Sequence, residues 1–178
     1  MPIQSAVTAA RALVGADDCE HLLRMQASRC PAALTTLGPR RDECATVREL
    51  LEVLRELEAM QAFRAAGRAS EQDMLAMQSS ICGMRAATRD AYPARYWLHA
   101  AALHDVIEVS AGHETSARIA RQVRRDLAAS RFVPAPHAAA DSLSEHELLV
   151  DRIAAGDADG AHLAMFDHLS SVIPVRSG

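Results

Sequence analysis

Apolar side chains recur at steps of three and four residues along most of the sequence, a spacing typical of helices with one buried face. The clearest stretch predicts a long helix over residues 45–67 that ends at Gly67. Its apolar positions are Val47, Leu50, Leu51, Leu54, Leu57, Met60 and Phe63. Ser70 and Asp73 resemble a capping pair, which predicts a second helix. The apolar stripe of that helix contains Met74, Leu75, Met77, Ile81 and Met84.

The middle of the chain predicts two further helices. Pro93 favours the start of one helix, which continues to Gly112, and the next spans residues 114–129. The stripe of the third helix contains Trp97, Leu98, Ala101, Leu103, Val106 and Ile107, and the fourth directs Ile119, Val123 and Leu127 inward. The arginines of the fourth helix are interpreted as a solvated outer face; they are Arg118, Arg121, Arg124 and Arg125.

The C-terminal part predicts a helical hairpin after a loop over residues 131–141, which is rich in proline and alanine. The two helices span residues 144–155 and 158–172, with a turn at Gly156 and Asp157. A capping box for the first of them is supplied by Ser142 with Glu145 or by Ser144 with Glu147. The hairpin brings two distant parts of the sequence side by side.

The N-terminal part is less regular. Residues 4–14 and 17–26 predict two short helices, followed by a stretch that is rich in helix breakers. We therefore divide the chain into a helical extension, residues 1–44, and a helical bundle, residues 45–174. The predicted fold is an all-α, antiparallel bundle of about six to seven helices.

Composition agrees with this fold and excludes several classes of protein. The 178 residues are 49% hydrophobic but only 3% aromatic, and alanine dominates the apolar set. A formal net charge of −4 argues against a free-standing nucleic-acid binder. No apolar run is long enough for a membrane span and no signal peptide begins the chain, so we expect a cytoplasmic protein. The cysteines lack metal-site spacing and are expected to be reduced, mostly packed thiols; they are Cys19, Cys30, Cys44 and Cys82.

Three histidines are the candidate metal ligands. His146 and His168 are 22 residues apart with the turn midway between them, so each lies about 16 Å from the turn and they face each other across the hairpin. His104 lies on the inward face of the third helix. Three inward imidazoles form a plausible first shell for a divalent metal such as zinc or nickel. Histidines on apolar faces are also found as hydrogen-bonded core residues, and this alternative stays open.

The C-terminal hairpin resembles the FCD family, the effector-binding C-terminal domains of FadR-type transcription regulators in the GntR superfamily. The resemblance lies in a histidine, an apolar pair, an Ala-Gly-Asp turn and a second histidine, which are here His146, Leu148-Leu149, residues 155–157 and His168. Residues 103–107, which contain His104, resemble the family's Phe-His-x-x-Leu run, and residues 111–113 its Ser-Gly-Asn turn. The resemblance spans about residues 46–172.

This resemblance implies a metal site and its neighbours. His104, His146 and His168 fit the three histidine positions of the family's metal-binding members, whereas Ala100 occupies the position of their aspartate. His99 and Asp105 are close to His104 in sequence but rotated away from it on a helix. In the family's E-x-R-x-x-x-E opening helix, Glu52 and Glu58 match both acids and Leu54 replaces the arginine. The resulting candidates for effector binding are Ala100, His99, Glu52, Glu58 and His113.

The resemblance also implies partners. The expected effector is a small organic acid whose carboxylate completes the metal shell, and we expect a homodimer. FadR-type regulators carry a winged helix-turn-helix before this domain, but residues 27–37 only faintly echo a recognition helix. We interpret the extension as packing on the bundle or a partner subunit, so DNA binding is expected to be absent or indirect.

Two other functions are compatible with the same residues. A three-histidine site with open positions can also activate water, which would make the chain a small metalloenzyme. Such an enzyme needs a general acid or base near the metal, and the candidates are Glu108, Glu145 and Glu147. Glu145 and Glu147 flank His146 and are expected to point elsewhere. The other alternative is a structural dimerisation bundle with core histidines and no ligand.

Overall fold

A computed structural model describes the backbone of residues 41–130 and 138–173 and the side chains from residues 46 and 142 onward in these two ranges. These residues belong to one compact unit, Arg41–Gly178. They form six helices and no strand, which confirms the all-α prediction. The helices are α1 (Arg41–Ala66), α2 (Glu71–Arg89), α3 (Pro93–Ala111), α4 (Glu114–Ala129), α5 (Ala138–Ala154) and α6 (Ala158–Ser171).

Local sequence signals set most helix ends. Ser70 and Asp73 form the predicted capping box at the start of α2, since the hydroxyl accepts from Asp73 N and the carboxylate accepts from Ser70 N. Pro93 begins α3, where its missing amide hydrogen is not needed, and Gly112 ends it in the left-handed conformation with φ 58°. Gly156, with φ 70°, and the N-cap Asp157 make the turn between α5 and α6.

α1 is the central helix, because it packs against α3, α4, α5 and α6. One apolar cluster joins α1 to α2, α3, α5 and α6, and a second joins α1 to α4. The largest fully buried apolar side chains are Tyr96, Met77, Met84, Leu103, Ile107, Leu149 and Met165. α2 covers α3 closely where the His99 ring lies over Gly83, a position at which any side chain would collide with it.

The start of α5 differs from its prediction. The helix begins at Ala138, six residues earlier than expected, so the predicted loop ends sooner and both predicted capping boxes are wrong. Alanines 138–140 extend the helix because alanine has the highest helix propensity. Ser142 and Ser144 therefore lie within the helix, and Ser142 is buried.

Several exposures also differ from the predictions. Ile119 was expected inward but is 39% exposed, and α4 instead buries Ala117 and Ala120 beside Val123 and Leu127. Cys82 is an exposed free thiol rather than a packed one. Leu75 and Leu98 of the predicted stripes are likewise exposed.

Two further expectations concern the N-terminal helices and a membrane span. The predicted helices over residues 4–14 and 17–26 lie outside the part of the chain that the structure describes. Within that part, no helix combines the length and apolar character that crossing a membrane requires.

Candidate metal centre

Three helices bring three histidines together in the interior of the bundle. His104 comes from α3, His146 from α5 and His168 from α6, and His146 and His168 are both buried. The ring centroids of His146 and His168 are 4.2 Å apart, and His104 is 5.5 Å from each of them. One ring nitrogen from each histidine lies within 4.8 Å of the other two. The hairpin geometry predicted for His146 and His168 is therefore observed.

Each imidazole has an acceptor at its Nδ1 atom. Nδ1 of His146 lies 2.6 Å from the backbone oxygen of Ser142 and, since a carbonyl oxygen only accepts, this nitrogen carries a proton. Nδ1 of His104 lies 2.6 Å from Glu58 Oε2, and Nδ1 of His168 lies 2.8 Å from Glu145 Oε2. A ring whose proton is on Nδ1, and which carries no second proton, presents its Nε2 lone pair on the opposite side. Such outer partners commonly fix the orientation of metal-binding histidines.

The Nε2 atoms of His104 and His146 lie 3.3 Å apart. Two lone pairs at this distance repel each other unless a positive charge lies between or beside them. Zinc binds histidine nitrogen at about 2.0–2.1 Å, which makes the nitrogen–nitrogen edge of a tetrahedral site about 3.3 Å long. The residues present thus fit a divalent metal. The alternative positive charge is a proton shared between the two rings, which belongs to the interpretation as core histidines.

Burial keeps two of the three rings neutral. Burial, together with the neighbouring His168 and His104, lowers the pKa of His146 to about 2. Burial also lowers the pKa of His168, against the opposing effect of its hydrogen bond to Glu145. A neutral imidazole is the form that binds a metal, so these two rings are available as ligands without first releasing a proton at neutral pH.

Glu58 is held in its charged form although it is buried. Burial alone would raise its pKa, but His104 and Arg124 outweigh this effect and lower the pKa to about 2. Arg124 donates from Nε and Nη2 to Glu58 Oε1 at 2.9 and 2.7 Å, and from Nη1 to Glu108 Oε2 at 3.1 Å. Arg121 donates to the other Glu108 oxygen at 2.6 Å. The predicted solvated arginine face of α4 is therefore wrong for Arg124, which pairs with buried Glu58, whereas Arg121 stays exposed as predicted although it donates to Glu108.

A cavity of about 280 Å³ lies against the histidines. Ala100 lines it, at the position where the family resemblance implies an aspartate. Most other lining side chains are apolar, and three are charged. The apolar residues are Leu51, Leu54, Trp97, Ala101, Leu127, Leu169 and Val172; the charged ones are Glu58, Asp105 and Arg124. Asp105 lies at the rim, with its side chain 70% exposed.

Three of the candidate effector residues do not line this cavity. Glu52 forms an ion pair with Arg48 at 3.8 Å on the outside of α1, where it is partly exposed. His99 packs over Gly83, since it is rotated away from His104 as expected. His113 caps α4, because its Nδ1 accepts from Ser116 N at 3.2 Å. The structure thus brings together His104, His146, His168, Glu58 and Ala100 and leaves these three outside.

Sequence reasoning missed two residues of the site. Glu145 was expected to point elsewhere, but it contacts His168 across the hairpin. Arg124 was assigned to solvent by the charge pattern of α4. Glu145 could have been found from the same hairpin register that paired His146 with His168. No sequence signal pairs Arg124 with Glu58, which is 66 residues away. Glu147 behaves as expected and pairs with Arg85 at 2.7 Å.

Comparisons with known proteins agree with the fold. A model of the FCD domain family matches residues 49–171, about two thirds of the chain. No curated protein matches the sequence. Among solved structures, Streptococcus agalactiae GntR is similar with a TM-score of 0.62 at 17% identity. The match covers 97% of this chain and 87% of that one, and at this identity it shows a shared fold.

Proposed function

We propose, from the premise that this chain belongs to the FCD domain family, that it is the ligand-sensing domain of a GntR-type transcription regulator. In this proposal His104, His146 and His168 hold one divalent metal ion, zinc or nickel, and a small carboxylic acid binds beside them. One observation carries the proposal: a ring nitrogen from each of the three histidines lies within 4.8 Å of the other two, while an acceptor lies beside each Nδ1 atom. That arrangement places three ring nitrogens together at the wall of the cavity.

The chain's own residues perform the positioning. Glu58 and Glu145 orient His104 and His168 and add negative charge behind them, which favours a cation at Nε2. The Ser142 carbonyl does the same for His146 without a charge. A bound divalent metal would supply a positive charge with open coordination positions. Ala100 donates nothing, so the positions that face the cavity remain for a carboxylate oxygen or water.

The site is suited to sensing because it joins most of the bundle. His104, His146 and His168 come from α3, α5 and α6, while Glu58 and Arg124 belong to α1 and α4. A ligand that contacts this set has different contacts in different packings of the helices, and it favours the packing that binds it best. In a regulator such a shift would change the geometry of attached or partner DNA-binding heads.

The proposal includes a homodimer, and DNA binding that is absent or indirect. Its support is the family resemblance and the GntR fold of the solved relative. Sedimentation tests the dimer, which would have twice the 19.2 kDa of one chain.

A gel shift at low salt with DNA upstream of the protein's own gene tests the proposal that DNA binding is absent or indirect. No shift supports a sensor role, and a specific shift contradicts it. The prediction that residues 1–44 lack a DNA-binding head falls almost wholly outside the described residues.

Equilibrium dialysis of chelator-treated protein against zinc or nickel tests the metal centre. We expect one ion per chain for the wild type and none for His168→Ala at the same free metal concentration. His162→Ala is the matched control, because it removes a histidine from the same helix that packs beside Phe166 instead. No bound metal in the wild type, or equal binding by all three proteins, would contradict the proposal. Binding that is lost only in His168→Ala supports it.

The structural alternative predicts a different pattern. A bundle with core histidines and a shared proton would bind no metal in dialysis. It would also show no change in Tm with small carboxylic acids, with or without metal. A Tm that rises with an acid only in the presence of the metal supports the sensor. The metalloenzyme alternative gains nothing from Glu108, which is held by Arg121 and Arg124 and does not line the cavity.

A further inference from the structure

Much of the wall of the cavity beside the histidines is apolar. α1 contributes Leu51 and Leu54, α4 contributes Leu127, and Leu169 and Val172 lie at the end of α6. Leu51, Leu54 and Leu127 are buried in one cluster, so this wall is fixed by packing rather than formed by mobile side chains. A ligand that reaches it from the metal must therefore present hydrocarbon there, because an unpaired polar group would lose its water.

The polar part of the wall offers no cation for a second acidic group. Among the cavity-lining residues that the structure describes, Arg124 is the one cation. All three of its nitrogens already have carboxylate partners: Nε and Nη2 donate to Glu58, and Nη1 donates to Glu108 at 3.1 Å and lies 3.4 Å from Asp105. Of the charged residues that line the cavity, Glu58 and Asp105 are negative and Arg124 is positive. A second carboxylate on a ligand would find no free cation there.

The cavity is large enough for a small organic acid. At about 30 Å³ for each water-sized group, 280 Å³ accommodates roughly nine non-hydrogen atoms, and any further part of a ligand would extend past the exposed rim at Ala101 and Asp105. A carboxylate accounts for three of them and must lie near the three Nε2 atoms. The rest of such a ligand occupies the space between Trp97 and the leucines.

We infer that the effector is a monocarboxylate with a hydrocarbon body, aliphatic or aromatic, of about nine non-hydrogen atoms. The inference rests on the proposed function, because the carboxylate binds through the metal at His104, His146 and His168. It excludes dicarboxylic acids and polyhydroxy acids of similar length as preferred effectors.

Trp97 provides a direct readout, since it is the single tryptophan of the chain and lines the cavity. Metal-loaded protein is titrated with hexanoate and with adipate, which share one six-carbon chain but carry one and two carboxylates. We expect hexanoate to change the tryptophan fluorescence with a Kd at least about tenfold lower than that of adipate. Adipate binding as tightly as hexanoate, or more tightly, would overturn the inference.

A pair of variants at the rim of the cavity tests the electrostatic cause. Ala101 lines the cavity but is exposed, so a long side chain fits there without disturbing the core. Ala101→Arg adds a second cation to the rim, beside Asp105, and should tighten adipate binding by about fivefold while leaving hexanoate nearly unchanged. Ala101→Gln, with a similar length and no charge, should not. Equal effects of both variants on adipate would contradict the charge argument.

The outcomes separate this inference from the proposed function. If dialysis shows no metal, both fail. If the metal binds but neither acid changes the fluorescence, or adipate is preferred, the inference fails and the metal centre stands. If hexanoate binds equally well to chelator-treated protein, the carboxylate does not use the metal and the inference fails as stated. Metal-dependent preference for hexanoate supports it.

Discussion

Two parts of the cavity wall differ in what they contribute to the folded protein: the histidine end, defined as His104, His146, His168 and Glu58, and the apolar end, defined as Leu51, Leu54 and Leu127. At the histidine end, buried imidazoles and Glu58 give up water and recover part of that loss through hydrogen bonds at each Nδ1 atom. At the apolar end, Leu51, Leu54 and Leu127 lose only unfavourable contact with water. The histidine end is therefore organised for binding, whereas the apolar end also stabilises the bundle. Substitutions at the two ends should therefore separate metal affinity from stability.

His146→Leu should have the largest effect, and on metal affinity alone. Loss of a direct ligand should weaken metal binding by more than about 100-fold, beyond the range for outer-shell partners. The free energy of unfolding of the metal-free protein should not fall by more than about 0.5 kcal/mol, because leucine fills a similar volume without a polar group to satisfy. Metal titration and urea unfolding measure the two quantities. A large loss of stability with unchanged metal affinity would contradict this prediction, because it would assign His146 to stability rather than to metal binding.

Leu127→Ala should show the opposite pattern. Leu127 is buried between α4 and α1, so its truncation should lower the free energy of unfolding by about 2 kcal/mol, the lower end for such changes because the site borders an existing cavity. Metal affinity should stay within about twofold, since additivity holds for sites without shared partners. The same two measurements apply. A Leu127→Ala variant that loses the metal would show that the two ends are not independent.

Glu145→Ala should have a smaller effect at the histidine end. Without the carboxylate, nothing holds the Nδ1 proton of His168, and metal affinity should fall by about tenfold, or ~1.4 kcal/mol. Glu147→Ala is the matched control two residues away, because Glu147 pairs with Arg85 instead. Isothermal titration of zinc measures both. Equal losses in the two variants would assign the effect to general charge rather than to the orientation of His168.

The pH dependence of stability should be the smallest effect and should come from the histidine end. Because the pKa of His146 is lowered to about 2, the unfolded chain binds more protons than the folded one below pH 6.5. The metal-free protein should therefore lose about 0.7 kcal/mol through His146 between pH 7 and pH 6, and more as the pH falls further.

Urea unfolding across this pH range measures the effect. Burial lowers the pKa of His168 and adds in the same direction. Glu58 adds a further loss only below its usual value of 4.5, since its folded pKa is about 2. His146→Leu should flatten the slope between pH 7 and pH 6, and Leu127→Ala should leave it unchanged. A steeper slope in His146→Leu would contradict the assignment.

The sequence predicts the histidine end better than the apolar end, for a physical reason. Helical periodicity and the Gly156 turn determine which residues of α5 and α6 are opposite each other, so the meeting of His146 with His168 follows from local rules. The contacts of Arg124 with Glu58 and Glu108 depend on how α4 packs against α1 and α3, and no local rule fixes that packing. The prediction that Ile119 points inward was wrong for the same reason, because its exposure depends on how α4 packs.

The start of α5 shows a different limit. The prolines and alanines of residues 131–141 predicted a loop, but the helix begins at Ala138. Alanine has the highest helix propensity, so alanines next to a helix tend to extend it. Because the longer helix includes Ser142, the Ser142 carbonyl lies one turn before His146 and accepts the Nδ1 proton. The hydrogen bond between His146 and the Ser142 carbonyl was therefore not predicted, because the predicted start of the helix was six residues too late.

X-ray absorption at the edge of the bound metal tests the central claim most directly, because it reports the ligands themselves. For protein loaded with one equivalent of zinc, the account predicts three imidazole nitrogens at about 2.0–2.1 Å together with one or more oxygen ligands. When His168→Ala is loaded at a zinc concentration high enough to overcome its loss of affinity, the number of imidazoles should fall to two. A wild-type shell with fewer than three imidazoles, or with sulfur, would contradict the assignment of His104, His146 and His168 as the metal centre.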